Sequence, residues 1–100
     1  MVCYPGTSFK AHFNRGVCLE KLERMNNALG EYNEALSQQP KHTQSMINRA
    51  NVFCALGKLD ACMSDLESVG QNSNLSVKQQ TSIAAIRANV LEKKGICQLF

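Results

Sequence analysis

Arg15-Gly16-Val17-Cys18-Leu19 and Arg49-Ala50-Asn51-Val52-Phe53 are two copies of one segment set 34 residues apart, and that spacing decides the fold. The correspondence continues downstream, where Leu22 falls on Leu56, Arg24 on Lys58, Met25 on Leu59, Tyr32 on Leu66 and Ala35 on Val69. A third copy, Arg87-Ala88-Asn89-Val90-Leu91, follows at a spacing of 38, which predicts an insertion of four residues ahead of it. A 34-residue period is that of helix-turn-helix solenoids, whose units cannot bury their apolar faces alone and must stack. Function is then expected on a surface made by stacked helices.

Punctuation places the helices. Thr7 or Ser8 can cap a first helix to about Leu22, Glu23 to Asn27 makes a tight connection, and a second helix ends near Gln38 before Pro40. The next pair is expected at Thr43 to Leu56 and Leu59 to Val69, followed by a polar loop from Gly70 to Asn74 that absorbs the irregular spacing. Ser76 and Gln79 form a capping-box pattern for a longer last helix, Val77 to Lys94, with Gly95 as its C-cap. Residues 96–100 could only begin a sixth helix.

Within the first unit, Gly16, Leu19, Ala28, Tyr32, Ala35 and Pro40 stand at the spacings of the tetratricopeptide repeat, with small residues where two helices cross and a closing proline. The segment resembles that family closely. The second unit keeps Ala50, Phe53 and Gly57 but offers Cys62, Leu66 and Val69 for Ala28, Tyr32 and Ala35, and Asn74 for the proline. The third has Ala84, Ala88, Leu91 and Gly95. The resemblance implies an all-α chain: antiparallel helix pairs stacked as a short right-handed solenoid of about five helices. One domain, 1–100, would hold repeat 1 at 9–42, repeat 2 at 43–76 and a partial repeat 3 at 77–100. Solenoids close with a polar outer face, for which Ile83, Ala84, Ala85, Ile86, Ala88, Val90 and Leu91 leave little room. That favours a truncated form of a longer repeat protein over a last helix that meets a partner.

Composition narrows the partners. The net charge of +3 gathers near the end, where Lys78, Arg87, Lys93 and Lys94 face only Glu92. It reads as cations complementing a helix C-terminus, and without interleaved aromatics it does not resemble a nucleic-acid footprint. The five cysteines (Cys3, Cys18, Cys54, Cys62, Cys97) form no C-x-x-C pair and no ligand spacing around His12 or His42, so neither metal nor cofactor is expected. Cys18, Cys54 and Cys62 are read as buried thiols among apolar neighbours. No signal-peptide run and no stretch of 18 apolar residues occurs, which argues against a membrane and for a cytoplasmic setting, ahead of a nuclear or cytoskeletal one.

The resemblance also implies the site. The first helix of each pair lines a concave groove that takes a peptide or a helical segment of a partner. Carried over by position, that groove comprises Lys10, Phe13, Asn14, Val17 and Lys21, then Gln44, Ile47, Asn48 and Asn51, then Ser82, Ala85, Ile86 and Asn89. Amides suit it because they both donate and accept without a charge to desolvate. The equal alternative for Asn14 and Asn48 is that they hold neighbouring helices in register. Chaperone-tail binders of this family use three cations and an amide that are absent here: Phe13 and Val17 replace a lysine and an asparagine, and Ser82 and Ile86 replace a lysine and an arginine. An RNA-binding family with 35-residue helical units fits Ala28, Tyr32 and Pro40 less well.

No catalytic motif is present, and Glu20, Glu23, Glu31, Glu34, Asp60, Asp65 and Glu67 are read as exposed and separate. His12 and His42 are read as surface residues near helix starts. The expectation is a non-enzyme that binds a protein or peptide. The alternative is a structural piece of a longer array that self-associates or docks through its last helix.

Overall fold

Helices begin at residues 9, 43 and 77, so the period of 34 is kept twice in the folded chain. The computed structural model describes residues 8–72 and 74–93. The expectations placed on Cys3, Thr7, Ser73, Lys94, Gly95, Cys97 and residues 96–100 lie outside the described residues. Five helices are formed: α1 (Phe9–Lys21), α2 (Met25–Gln38), α3 (Thr43–Ala55), α4 (Leu59–Gly70) and α5 (Val77–Lys93), with no strand among the described residues.

The caps repeat with the same period. Ser8 Oγ accepts from the Ala11 N–H at 3.2 Å, His42 Nδ1 from the Ser45 N–H at 3.3 Å, and Ser76 Oγ from the Gln79 N–H at 3.1 Å. Gln79 Oε1 returns a bond from the Ser76 N–H at 3.1 Å, completing the expected capping box. The expected insertion is therefore corrected. α4 is two residues shorter than α2 and the link after it two longer, so the period is unchanged, and Arg87 lies about one turn further along α5 than Arg49 does along α3.

The hairpin turns are also copies. In the first, the N–H groups of Leu22, Glu23 and Arg24 donate to the carbonyls of Cys18, Glu20 and Leu19; in the second, those of Leu56, Gly57 and Lys58 donate to Val52, Cys54 and Phe53. This is the Schellman ending of a helix, and its left-handed residue is Glu23 (φ 61°) in one turn and Gly57 (φ 79°) in the other. The connection is thus Leu22 to Arg24, shorter than the expected Glu23 to Asn27, because one left-handed residue reverses the chain.

Packing follows the register. Ala28, Tyr32 and Ala35 are fully buried on α2, as are their counterparts Cys62, Leu66 and Val69 on α4. One cluster joins Ala28, Tyr32 and Val52, with Phe13, Val17, Met25 and Leu56 around them; the other joins α3, α4 and α5 through Ile47, Ala50, Cys62, Leu66, Ile86 and Val90. Gly16 marks a close crossing, since a Cβ there would stand 2.6 Å from Tyr32 Cε1. The helices associate as a stack, α1 with α2, α2 with α3, α3 with α4, and α5 on both α3 and α4. α5 buries Ile83, Ile86 and Val90 there and leaves Ala84, Ala85 and Ala88 exposed.

Several sequence expectations change in three dimensions. Cys18 is exposed, although Cys54 and Cys62 are buried. Asp65 is only 6 % exposed and takes both Nε and Nη2 of Arg49 at 2.8 Å. Arg49 also donates to Asn33 Oδ1 at 2.9 Å and lies 5.7 Å from the Phe53 ring centroid, so it ties α2, α3 and α4 together. One period earlier, Arg15 Nε stands 3.7 Å from Glu31 Oε1. His12 is buried and shares a 2.7 Å hydrogen bond with Glu31 across α1 and α2. Lys93 sits in the last turn of α5 as expected of a dipole-complementing cation, but Lys78 sits in the first.

Candidate functional site

α3 touches α1 on one side and α5 on the other, so the first helices of successive pairs form one face. Two depressions adjoin on it. One, of about 410 Å³, is lined by Val17, Glu20, Lys21, Met25, Asn48 and Asn51; the other, of about 260 Å³, by Ile47, Asn48, Asn51, Ser82, Ala85 and Ile86. Asn48 and Asn51 belong to both and form the divide between them. They are neighbours on α3 because three residues are nearly one helical turn.

Of the residues assigned to a groove by position, Val17, Lys21, Ile47, Asn48, Asn51, Ser82, Ala85 and Ile86 meet here. Lys10 and Asn14 are exposed on α1 and Asn89 on α5, outside both depressions. Phe13 is half-buried with its ring centroid 6.0 Å from that of Tyr32 and 5.4 Å from that of His42, so it is packing material. Two lining residues had not been foreseen. Met25 enters from the start of α2, which needed the true turn position; Glu20 follows Val17 by three residues on α1, a spacing that helical periodicity alone makes legible.

A chain of hydrogen bonds links the depressions to the core. Tyr32 Oη donates to Glu20 Oε1 at 2.7 Å and accepts from Asn48 Nδ2 at 3.2 Å. Asn48 Oδ1 accepts from Gln44 Nε2 at 2.8 Å, and Gln44 Oε1 from Gln79 Nε2 at 3.3 Å. Asn51 Nδ2 donates to the second Glu20 oxygen. The chain thus runs from α1 through α2 and α3 to α5. Gln44 belongs to the support of the face, and Asn48 both supports and lines it. Burial, reinforced by the hydrogen bond to Glu20, pushes the Tyr32 hydroxyl well above its ordinary range, so it remains a donor.

The titratable groups elsewhere do structural work. His42 is half-buried beneath Phe9 and Phe13, its ring 4.9 Å from that of Phe9, and burial lowers its pKa. Its Nδ1 lies 2.6 Å from Ser45 Oγ, but Ser45 is completely buried, so no substrate reaches that hydroxyl. The expectation that both histidines lie on the surface is therefore corrected: the α1–α2–α3 junction covers them. Among the described residues no three His, Cys, Asp or Glu side chains are grouped to hold a metal ion, and no helix is long and apolar enough to cross a membrane.

Comparison with protein families matches residues 9–42 to the family described as Tetratricopeptide repeat. Comparisons with the curated proteins and with the solved structures find no match. The matched segment is α1, its turn, α2 and the link to α3. Residues 9–42 therefore match a tetratricopeptide repeat, and the five-helix stack that contains them is consistent with a short tetratricopeptide-repeat-like protein.

Proposed function

We propose that this chain is a non-catalytic scaffold that binds a peptide or helical segment of a partner along the α1–α3–α5 face. The repeat family it resembles acts in general through protein–protein contact and is typically non-catalytic. The observation that carries the reading is the pair of adjoining depressions divided by Asn48 and Asn51, with the buried side chains of Ile47 and Ile86 beneath. Apolar floors with a few fixed amides suit a segment that offers an apolar anchor and backbone groups. The domain is read as one unit with repeats at 9–42, 43–76 and from 77 onward, and the free thiols Cys54 and Cys62 favour a reducing, cytoplasmic compartment.

The test is to fill the groove. Ala85 is exposed and lines the smaller depression, whereas Ala84 faces a different hollow on α5. Ala85→Trp is expected to abolish binding to a random dodecapeptide array and Ala84→Trp to leave it intact. Equal binding by both variants would place recognition elsewhere.

A second reading has its own observation. Thr81, Ala84 and Ala88 are exposed at the positions where Ile47, Ala50 and Cys54 on α3 are packed with α4. That side of α5 could receive a further helix, from a longer array or a second copy. Light scattering of the chain against Ala88→Glu separates these cases: loss of a dimer supports self-association.

A further inference from the structure

We infer that the groove selects a segment carrying a cationic side chain, arginine above all, seated on Glu20. This rests on the groove reading above. Glu20 stands on α1 in the wall of the larger depression, half-buried, with Tyr32 Oη on one oxygen and Asn51 Nδ2 on the other. Both donors are neutral. Among the described residues no ion pair involves Glu20, although Arg15 with His12 flanks Glu31 and Arg49 holds Asp65. Among the described residues Glu20 therefore differs from Glu31 and Asp65 in having no cation paired with it.

A carboxylate accepts at about four lone-pair positions, so two remain for a guest after Tyr32 and Asn51 are served. The two internal bonds fix the oxygens in place before a partner arrives, which spares the ordering that a free surface carboxylate would need. A segment that closes over the depression also strips water from Glu20. Without a compensating donor that burial is unfavourable, and a guanidinium answers it best because its planar fork meets a carboxylate with two bonds. Lys21 lines the same depression, but its side chain is exposed and lies beyond 4 Å of Glu20, so it stands at the rim as a solvated charge. The adjoining depression, with Ile47, Ala85 and Ile86, would take an aliphatic residue of the same segment. The occupant is accordingly a basic-and-aliphatic peptide, and an acidic one is disfavoured.

The experiment uses acetylated, amidated dodecapeptides, random except for one central position held as Arg, citrulline, Gln or Glu. They are measured by fluorescence anisotropy on the whole chain and on Glu20→Gln, with circular dichroism confirming the fold. The Arg set is expected to bind at least about tenfold more tightly than the citrulline set, and that preference should vanish in Glu20→Gln. Citrulline keeps the shape and removes the charge, so the comparison holds even if Glu20→Gln perturbs the Asn51 bond. Equal binding of Arg and citrulline sets, with both lost in Ala85→Trp, overturns the cation inference and leaves the groove reading standing. A preference for the Glu set overturns the inference in favour of Lys21. Binding of no set, or binding indifferent to Ala85→Trp, overturns both.

Discussion

Adding one methyl group at Gly16 tests the packing on which the whole stack depends. The new Cβ would stand 2.6 Å from Tyr32 Cε1 and 2.9 Å from both Cδ1 and Cζ. Tyr32 has no room to retreat. It is fully buried, tilted against Phe13, and anchored through its hydroxyl to Glu20 and Asn48. Overpacking of this kind destabilises by about 1–3 kcal/mol. Alanine also favours the helix over glycine by about 1 kcal/mol, which offsets part of the loss. Gly30 isolates that second effect, since nothing lies within 4 Å of a Cβ built there in α2. Gly30→Ala is thus expected to stabilise by about 0.5–1 kcal/mol. Gly16→Ala should fall about 1–3 kcal/mol below it, at roughly 4–8 °C in midpoint for each kcal/mol in a domain of this size. Urea unfolding followed by far-ultraviolet circular dichroism measures both variants. If Gly16→Ala is as stable as Gly30→Ala, α1 and α2 do not approach as described and the register is wrong.

Three further outcomes follow from particular contacts. Glu23→Gly should raise stability by about 1 kcal/mol, because only glycine occupies φ 61° without strain, and Gly57→Ala should lower it similarly; opposite signs in urea midpoints check this. Asp65→Asn leaves the Arg49 guanidinium short of its bidentate partner and should cost about 1.5–3 kcal/mol, whereas Glu67→Gln on the exposed side of α4 should cost little. Burial pushes the Cys62 thiol up to about 11 from an ordinary 9.0, and raises the Tyr32 hydroxyl as well. The unfolded chain therefore loses these protons first, so the stability they lend is complete below pH 9 and declines as pH climbs from 9.0 towards about 11. Thermal midpoints across that window should drop, less steeply between pH 9 and 10 for Cys62→Ala; a flat profile would contradict the burial of both groups.

What the sequence determined by itself is what recurs locally. The cap at Ser76 with Gln79 and the helix ends near Gln38 and Val69 depend on neighbours within a turn or two of chain, and the 34-residue period with its small residues Gly16, Ala28 and Ala35 is read from recurrence along it. Helical periodicity and capping are properties of short segments, so they survive without knowledge of the partner helices. The third copy misled for the same reason: Arg87-Ala88-Asn89-Val90-Leu91 matches in letters one turn away from where α5 matches in space. Composition does not say which turn of a helix faces its neighbour.

Only the tertiary structure decided what each polar side chain does. His12 and Asp65 have the composition of surface residues, and they are buried because Glu31 and Arg49 arrive from other helices to satisfy them. Cys18 looks apolar and is exposed on α1, which its residue type did not announce. Glu20 is joined to Tyr32, and through Asn51 to α3, across separations of 12 and 31 residues. A buried polar group is tolerable only where a partner meets it, and that partner is fixed by the crossing of helices far apart in sequence. The groove's walls were legible at Val17, Asn48 and Asn51 because position in the repeat placed them. Its charge was decided by the stack.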